Sequence, residues 1–188
     1  MSRSRRSATE EGFTIIELML VVAIAAVLTA VAAPSFAEFL SKRRVDGVMA
    51  ELVTDLQYAR SEAVGRNAPV RVTFGSDKDC YVIHLASAAT AECTRNSSTV
   101  APTTAEIKSV HLDADRGLTI DPGALVYLEF DPVRGTAVNS AAATSGSVIV
   151  RSISGPAWEL RALLTLMGRV ATCSPGGAGK VVGYSDCS

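Results

Sequence analysis

Hydrophobic and polar positions divide the chain into three stretches. Residues 1–12 are short and polar, with Arg3, Arg5 and Arg6 near the start, and residues 18–37 form a run of twenty without a charge. At about 1.5 Å of rise per residue such a run makes about 30 Å of helix, the thickness of a bilayer's hydrocarbon core. Past Pro34 the apolar residues narrow to a stripe. Phe36, Phe39/Leu40, Val45, Val48/Met49, Leu52/Val53, Leu56, Ala59 and Ala63 recur at spacings near three and four, with charged residues from Lys42 to Glu62 between them. This predicts one helix whose first half is apolar all round and whose second half packs a stripe on a globular body. Gly65, Asn67 and Pro69 mark its end. Pro34 deletes one backbone hydrogen bond, so a kink or local melting is expected there.

After Pro69 the period changes to two. Strands are expected at 69–74, 80–85, 107–112, 117–120, 125–130, 147–153 and 158–164, several of them rich in Val and Ile. Turn signals separate them at Gly117, Gly123, Asp131-Pro132, Arg134-Gly135 and Gly155-Pro156. Segments 86–105 and 136–146 are rich in Ala, Ser and Thr and read as loops. Pairing of 158–164 with 165–173 as a hairpin is left open. The fold class is α+β: a long N-terminal helix, membrane-spanning then amphipathic, packed on an antiparallel sheet.

Composition narrows the function. Eighteen basic residues against nineteen acidic give a formal charge of −1, and aromatics are 5% of the chain, so neither bulk charge nor stacking surface points to nucleic acid. Cys80, Cys93, Cys173 and Cys187 stand at separations of 13 and 14 residues, which fits two local disulfide loops and an oxidising compartment. Three connectivities are open, Cys80–Cys93 with Cys173–Cys187 being the simplest. No CxxC spacing favours a metal.

The arginines ahead of the apolar run predict a cytoplasmic N-terminus and a periplasmic remainder. A cleaved secretory signal would share the basic start and apolar stretch, and Ala30, Ala32 and Ala33 could mimic its cleavage site. Glu17 argues against it. A carboxylate inside an otherwise apolar stretch beginning at Phe13 is costly: it is either an interfacial residue snorkelling at the cytoplasmic edge or, in a packed bundle of like helices, a group that needs a cation. The free amine of a chain beginning at Phe13 would supply one.

Gly12-Phe13-Thr14-Ile15-Ile16-Glu17-Leu18 resembles the type III signal of type IV pilins and type II secretion pseudopilins. The resemblance implies that prepilin peptidase cuts after Gly12 and methylates Phe13, and that Glu17 and Pro34 match the family's assembly glutamate and helix-softening proline. At Pro34, an ordinary bend and a site that stretches under filament load are both open. The stretches ELVTDLQYARSEAVGR (51–66) and PVRVTF (69–74) are similar to the GspH/FimT branch of minor pilins and minor pseudopilins. EFDPVRG (129–135) and LMGRVATC (166–173) resemble it more loosely. The implied organisation is a removed leader (1–12), a transmembrane and filament-core half-helix (13–37), an amphipathic half-helix (38–66) and a periplasmic β-rich domain (67–188) with a disulfide-stapled C-terminal loop. Prepilin peptidase, other pilins and the inner membrane are the implied partners, with a pilus or pseudopilus as the destination.

No nucleophile, metal or nucleotide motif is found, so no enzyme, cofactor or metal is expected. His84 and His111 lie in separate expected strands and read as surface or satisfied core histidines. Asp113 and Asp115, and likewise Asp77 and Asp79, read as solvated loop pairs. The glycine-rich tail 173–188 reads as a flexible stapled loop. Some FimT-like members act in DNA uptake, and the resemblance implies a basic Gly-Arg-x-Arg contact. Here the stretch is Gly168-Arg169-Val170-Ala171, which leaves Arg161, Arg169 and Lys180 as a sparse basic set. Removing residues 1–12 takes away three basic and two acidic residues, for a net of −2. Few counterions could be released, and DNA binding is the lesser alternative to a structural filament subunit.

Overall fold

The computed structural model describes residues 12–113, 117–140, 145–153, 157–177 and 179–187. Among the described residues one α-helix, α1 (Ile15–Arg66), is followed by eleven strands: β1 (Val70–Phe74), β2 (Cys80–Leu85), β3 (Thr90–Thr94), β4 (Ser97–Ala101), β5 (Glu106–His111), β6 (Leu118–Asp121), β7 (Tyr127–Phe130), β8 (Ala137–Asn139), β9 (Ser145–Ser152), β10 (Glu159–Thr165) and β11 (Val170–Cys173). Every pairing between these strands is antiparallel. Two compact units divide the chain, one ending at Ala37 and one running from Glu38 to Ser188.

In the first unit the apolar run is helical, and none of its eighteen-residue window is buried within the chain. Helix continues through Pro34 without interruption, so the local melting expected there is not found. Proline removes one donor, and the turns on either side of it keep their own bonds. The helix ends as its sequence suggests. Asn67 takes a left-handed φ of 48°, while the Ala68 amide donates to Ala63 O and the Asn67 amide to Val64 O. This paired arrangement satisfies carbonyls that the last turn would leave free.

In the second unit Val45, Val48, Met49, Leu52, Leu56, Ala59 and Ala63 of α1 share one core with Val70, Val72, Ile83, Leu128, Phe130, Leu160 and Ala162. The expected single sheet is instead two, ordered β5-β2-β1-β7-β8 and β11-β10-β9-β6, plus the hairpin β3-β4. Strands β10 and β11 do form a hairpin. The hairpin β3-β4 corrects the loop expected at 86–105, and β8 with the start of β9 corrects the loop expected at 136–146. The hairpin also explains β2, whose first five residues are all buried. Tyr81 and Ile83 face the helix core, while Cys80 and Val82 join Cys93 and Val100 in a second small core. The turn at 155–156, Asp115 and nearly all of the expected leader lie outside the described residues.

Candidate assembly segment and surface sites

The residues expected at the processing junction precede α1. Gly12, Phe13 and Thr14 are non-helical, and Phe13 is 84% exposed. Thr14 caps the helix. Its Oγ1 accepts the Glu17 amide at 3.3 Å, and its carbonyl accepts the same amide at 3.1 Å. Thr14-x-x-Glu17 is the sequence form of a capping box, a signal present in the chain that the sequence reading passed over. Glu17 thus lies in the first turn, where a carboxylate is favoured by the helix dipole. Within the apolar run Thr29 donates its hydroxyl to the Ala25 and Ala26 carbonyls at 2.9 and 3.0 Å. The run's one hydroxyl besides Ser35 is therefore satisfied inside the helix, as a lipid environment requires.

A second acid of α1 has a different setting. Asp55 is 5% exposed and accepts from Tyr81 Oη at 2.7 Å and from Lys108 Nζ at 2.7 Å on both carboxylate oxygens. Burial first, and then the Asp55 hydrogen bond, push the Tyr81 phenol well above its ordinary value. Between the two acids along the helix is Asp46, half-buried, which accepts from the Tyr184 hydroxyl and pairs with Arg43 at 3.7 Å. The Asp46 hydrogen bond is the first cause holding Tyr184 up at about 12.

Neither histidine has a catalytic setting. His84 is buried between Thr73 Oγ1 (2.9 Å) and the Leu85 carbonyl (2.8 Å), and burial lowers its pKa. His111 bonds the Thr94 carbonyl. Asp79 corrects an expectation. It is 3% exposed rather than solvated, pairs with Arg95 at 3.2 Å, and keeps Oδ1 without a partner. The left-handed Lys78 (φ 59°) turns the chain inward just before Cys80, which is bonded to Cys93.

The second disulfide joins Cys173 to Cys187. The tail it closes is fastened rather than loose. Val181 is in the core, Ser174 donates to the Glu159 carbonyl, and the Ser174 amide donates to Ser185 O. Of the sparse basic set, Arg161 pairs with Glu159 at 2.9 Å and Lys180 with Asp186 at 2.6 Å, leaving Arg169 exposed. Arg151 also binds Glu159, at 2.7 Å. Two of the three candidate DNA contacts are thus engaged with carboxylates. Among the described residues no His, Cys, Asp and Glu cluster could hold a metal.

Comparison with known proteins places this geometry. Fimbrial protein Q of Moraxella bovis is 44% identical over 43 residues, covering 23% of this chain and 27% of its own length. The fimbrial protein of Moraxella nonliquefaciens is 34% identical over 65 residues, covering 31% of this chain and 42% of its own. The chain therefore spans less than half the length of either. Two crystal forms of the type IV minor pilin FimU of Pseudomonas aeruginosa share the fold at 19% identity. They have TM-scores of 0.53 and 0.50, cover 78% and 74% of this chain, and are themselves 98% covered. The family model described as type II transport protein GspH matches residues 49–168, which include the last turns of α1 from Met49 on, both main sheets up to the β10–β11 turn and the β3–β4 hairpin. That match spans well over half of the sequence, and the chain belongs to the GspH family.

Proposed function

We propose that this protein is a minor pilin or minor pseudopilin, a structural subunit built into or priming a type IV pilus or a type II secretion pseudopilus. The observation that carries the reading is the division within one 52-residue helix. Every buried position in it falls between Val45 and Ala63, and its apolar first half buries nothing in its own chain. Such a half-helix has two suitable surroundings, lipid and a bundle of like helices. The leader (1–12) and residues 13–37 hold the precursor in the inner membrane, with the N-terminus cytoplasmic and 67–188 periplasmic. Prepilin peptidase cuts at Gly12–Phe13 and methylates Phe13. The amphipathic half (38–66) carries the β domain as the apolar half moves from lipid into the filament core. Apolar burial is similar in both places, so register comes from polar specificity, with Glu17 pairing to a Phe13 amine. Pro34 sits in the segment that makes the transfer.

The test is intact mass and N-terminal sequencing of protein recovered from membranes with and without the peptidase. A start at Phe13 bearing one methyl group, only when the peptidase is present, is expected. A start near Pro34 would make the chain a signal-peptidase product and end the filament reading.

A further inference from the structure

We propose that turns 131–136 and 165–169 form one rigid, cation-flanked apolar knob that docks a protein partner whose surface frames an apolar depression with carboxylates. The first turn joins β7 to β8. Asp131 Oδ1 accepts the Val133 and Arg134 amides at 2.9 and 2.7 Å, and the Gly135 amide returns to the Asp131 carbonyl at 3.0 Å. The second joins β10 to β11, with the Gly168 amide on Thr165 O at 2.9 Å and the Arg169 amide on Thr165 Oγ1 at 3.3 Å. Gly135 and Gly168 have φ of 60° and 71°, in the left-handed region that suits glycine.

The two turns are locked to each other. The Ala137 amide donates to the Leu166 carbonyl at 2.8 Å. A Cβ on Gly168 would stand 2.6 Å from the Gly135 carbonyl oxygen, so the backbones touch where only glycine fits. Arg60 of α1 braces the pair from beneath. Its Nε would be 2.8 Å from a Cβ on Gly135, and its guanidinium carbon 3.3 Å from one on Gly168.

On this braced base the exposed side chains are apolar at the tips. Val133 is 81% exposed and Met167 71%, and Leu166, next to Met167 in sequence, is exposed as well. Arg134 and Arg169 flank them, both exposed, and neither guanidinium has a carboxylate within ion-pair distance among the described residues. Fixed turns lose little freedom on binding, and a methionine adapts to an irregular pocket. Exposed apolar side chains gathered on such a base mark a contact surface. The paired cations set the complement: acidic groups around an apolar recess, where they steer encounter and reject basic surfaces. DNA fits poorly, because two cations release few counterions and a phosphate backbone offers nothing to Val133 or Met167. The inference is independent of processing at Gly12–Phe13.

The experiment places p-benzoylphenylalanine at Val133 or at Met167 in the full chain, expressed in its own host, with the exposed Val182 position as control. After irradiation the adducts are digested and sequenced by mass spectrometry. Both turn positions, and not the control, are expected to reach one protein through peptides containing Asp or Glu. Arg134→Glu with Arg169→Glu should cut adduct yield at least about tenfold, the scale of placing like charges across an interface. Reversal of the partner's acid to Arg should restore it. Retention of both disulfides on non-reducing gels serves as the folding check for the double variant. Three results would overturn the proposal: no protein adduct at either turn, a yield indifferent to the double reversal, or an adduct that nuclease removes.

Discussion

The two halves of α1 are both rich in Ala, Val and Leu, yet the chain uses them in opposite ways. From Val45 to Ala63 the apolar residues are a stripe, and the second unit buries most of it. From Ile15 to Phe36 they surround the helix, and the large ones are exposed. Their acids follow the same division. Asp55 finds both a phenol and an ammonium within its own chain, Asp46 finds a phenol and a surface arginine, and Glu17 has no cation within ion-pair distance among the described residues. One half of the helix is completed by folding, and the other requires surroundings that folding does not supply.

The largest effect tests the half that folding leaves incomplete. Glu17→Val should insert and be cleaved normally, yet its incorporation into sheared filaments should fall at least about a hundredfold, the scale of a charge left unpaired in a packed core. Normal incorporation would remove Glu17 from the assembly mechanism. Next comes an apolar pair of variants. Leu52→Ala, at a fully buried site, should lower unfolding stability by about 2–5 kcal/mol. Leu20→Ala, exposed in the free chain, should change it by about 0.5 kcal/mol or less. Denaturant unfolding of the full chain in one detergent compares them, and equal losses would erase the distinction between the halves.

Asp55 gives a smaller, sharper test. Asp55→Ala leaves the buried Tyr81 hydroxyl without its acceptor and should cost about 1–3 kcal/mol, with the partly exposed Lys108 returning to water and adding little. Tyr81→Phe removes one bond and leaves the ion pair, for about 0.5–1.5 kcal/mol. If the two variants cost the same, the acid is not what keys the helix to the sheet.

How much of this was legible in the sequence depends on where the information sits. The helix was readable because one uncharged run and one stripe at spacings of three and four carry it, and β1, β2 and β10 because Val, Ile and Leu alternate or cluster there. The hairpin β3–β4 was not, since in TAECT and SSTVA only Cys93 and Val100 are buried and the turn is Arg95–Asn96, without glycine. Its consequence, a β2 buried on both faces, was hidden with it. Asp55 read as one of the charged residues between the stripe positions, and its partners lie far along the chain in β2 and β5, which only the sheet order brings beneath it. The tail read as loose because four glycines are spread among few large apolar residues there, although Val181 reaches the core. The contact between Gly135 and Gly168 belongs to the same class: each glycine signals a turn, and nothing local says that the turns meet.

The smallest effect concerns Asp46, the acid intermediate between the other two, and it is read through pH. Tyr184 donates to Asp46, and its folded pKa stands at about 12 against an ordinary value of 10.0. Below 10 the phenol is protonated in both states, and the bond contributes its full stabilisation. Between 10 and 12 the unfolded chain has released this proton while the folded chain still holds it, so stability falls as pH rises through the interval. Tyr184→Phe should therefore cost a little at neutral pH, about 0.5 kcal/mol for a bond this exposed, and should flatten its share of the alkaline loss. The quantity to follow is the difference between wild type and variant across pH 9–12, in which everything the two chains share cancels. A difference that stays constant over that range would mean that Asp46 does not hold the phenol's proton. The disulfide Cys173–Cys187, rather than this contact, would then be what fixes the tail.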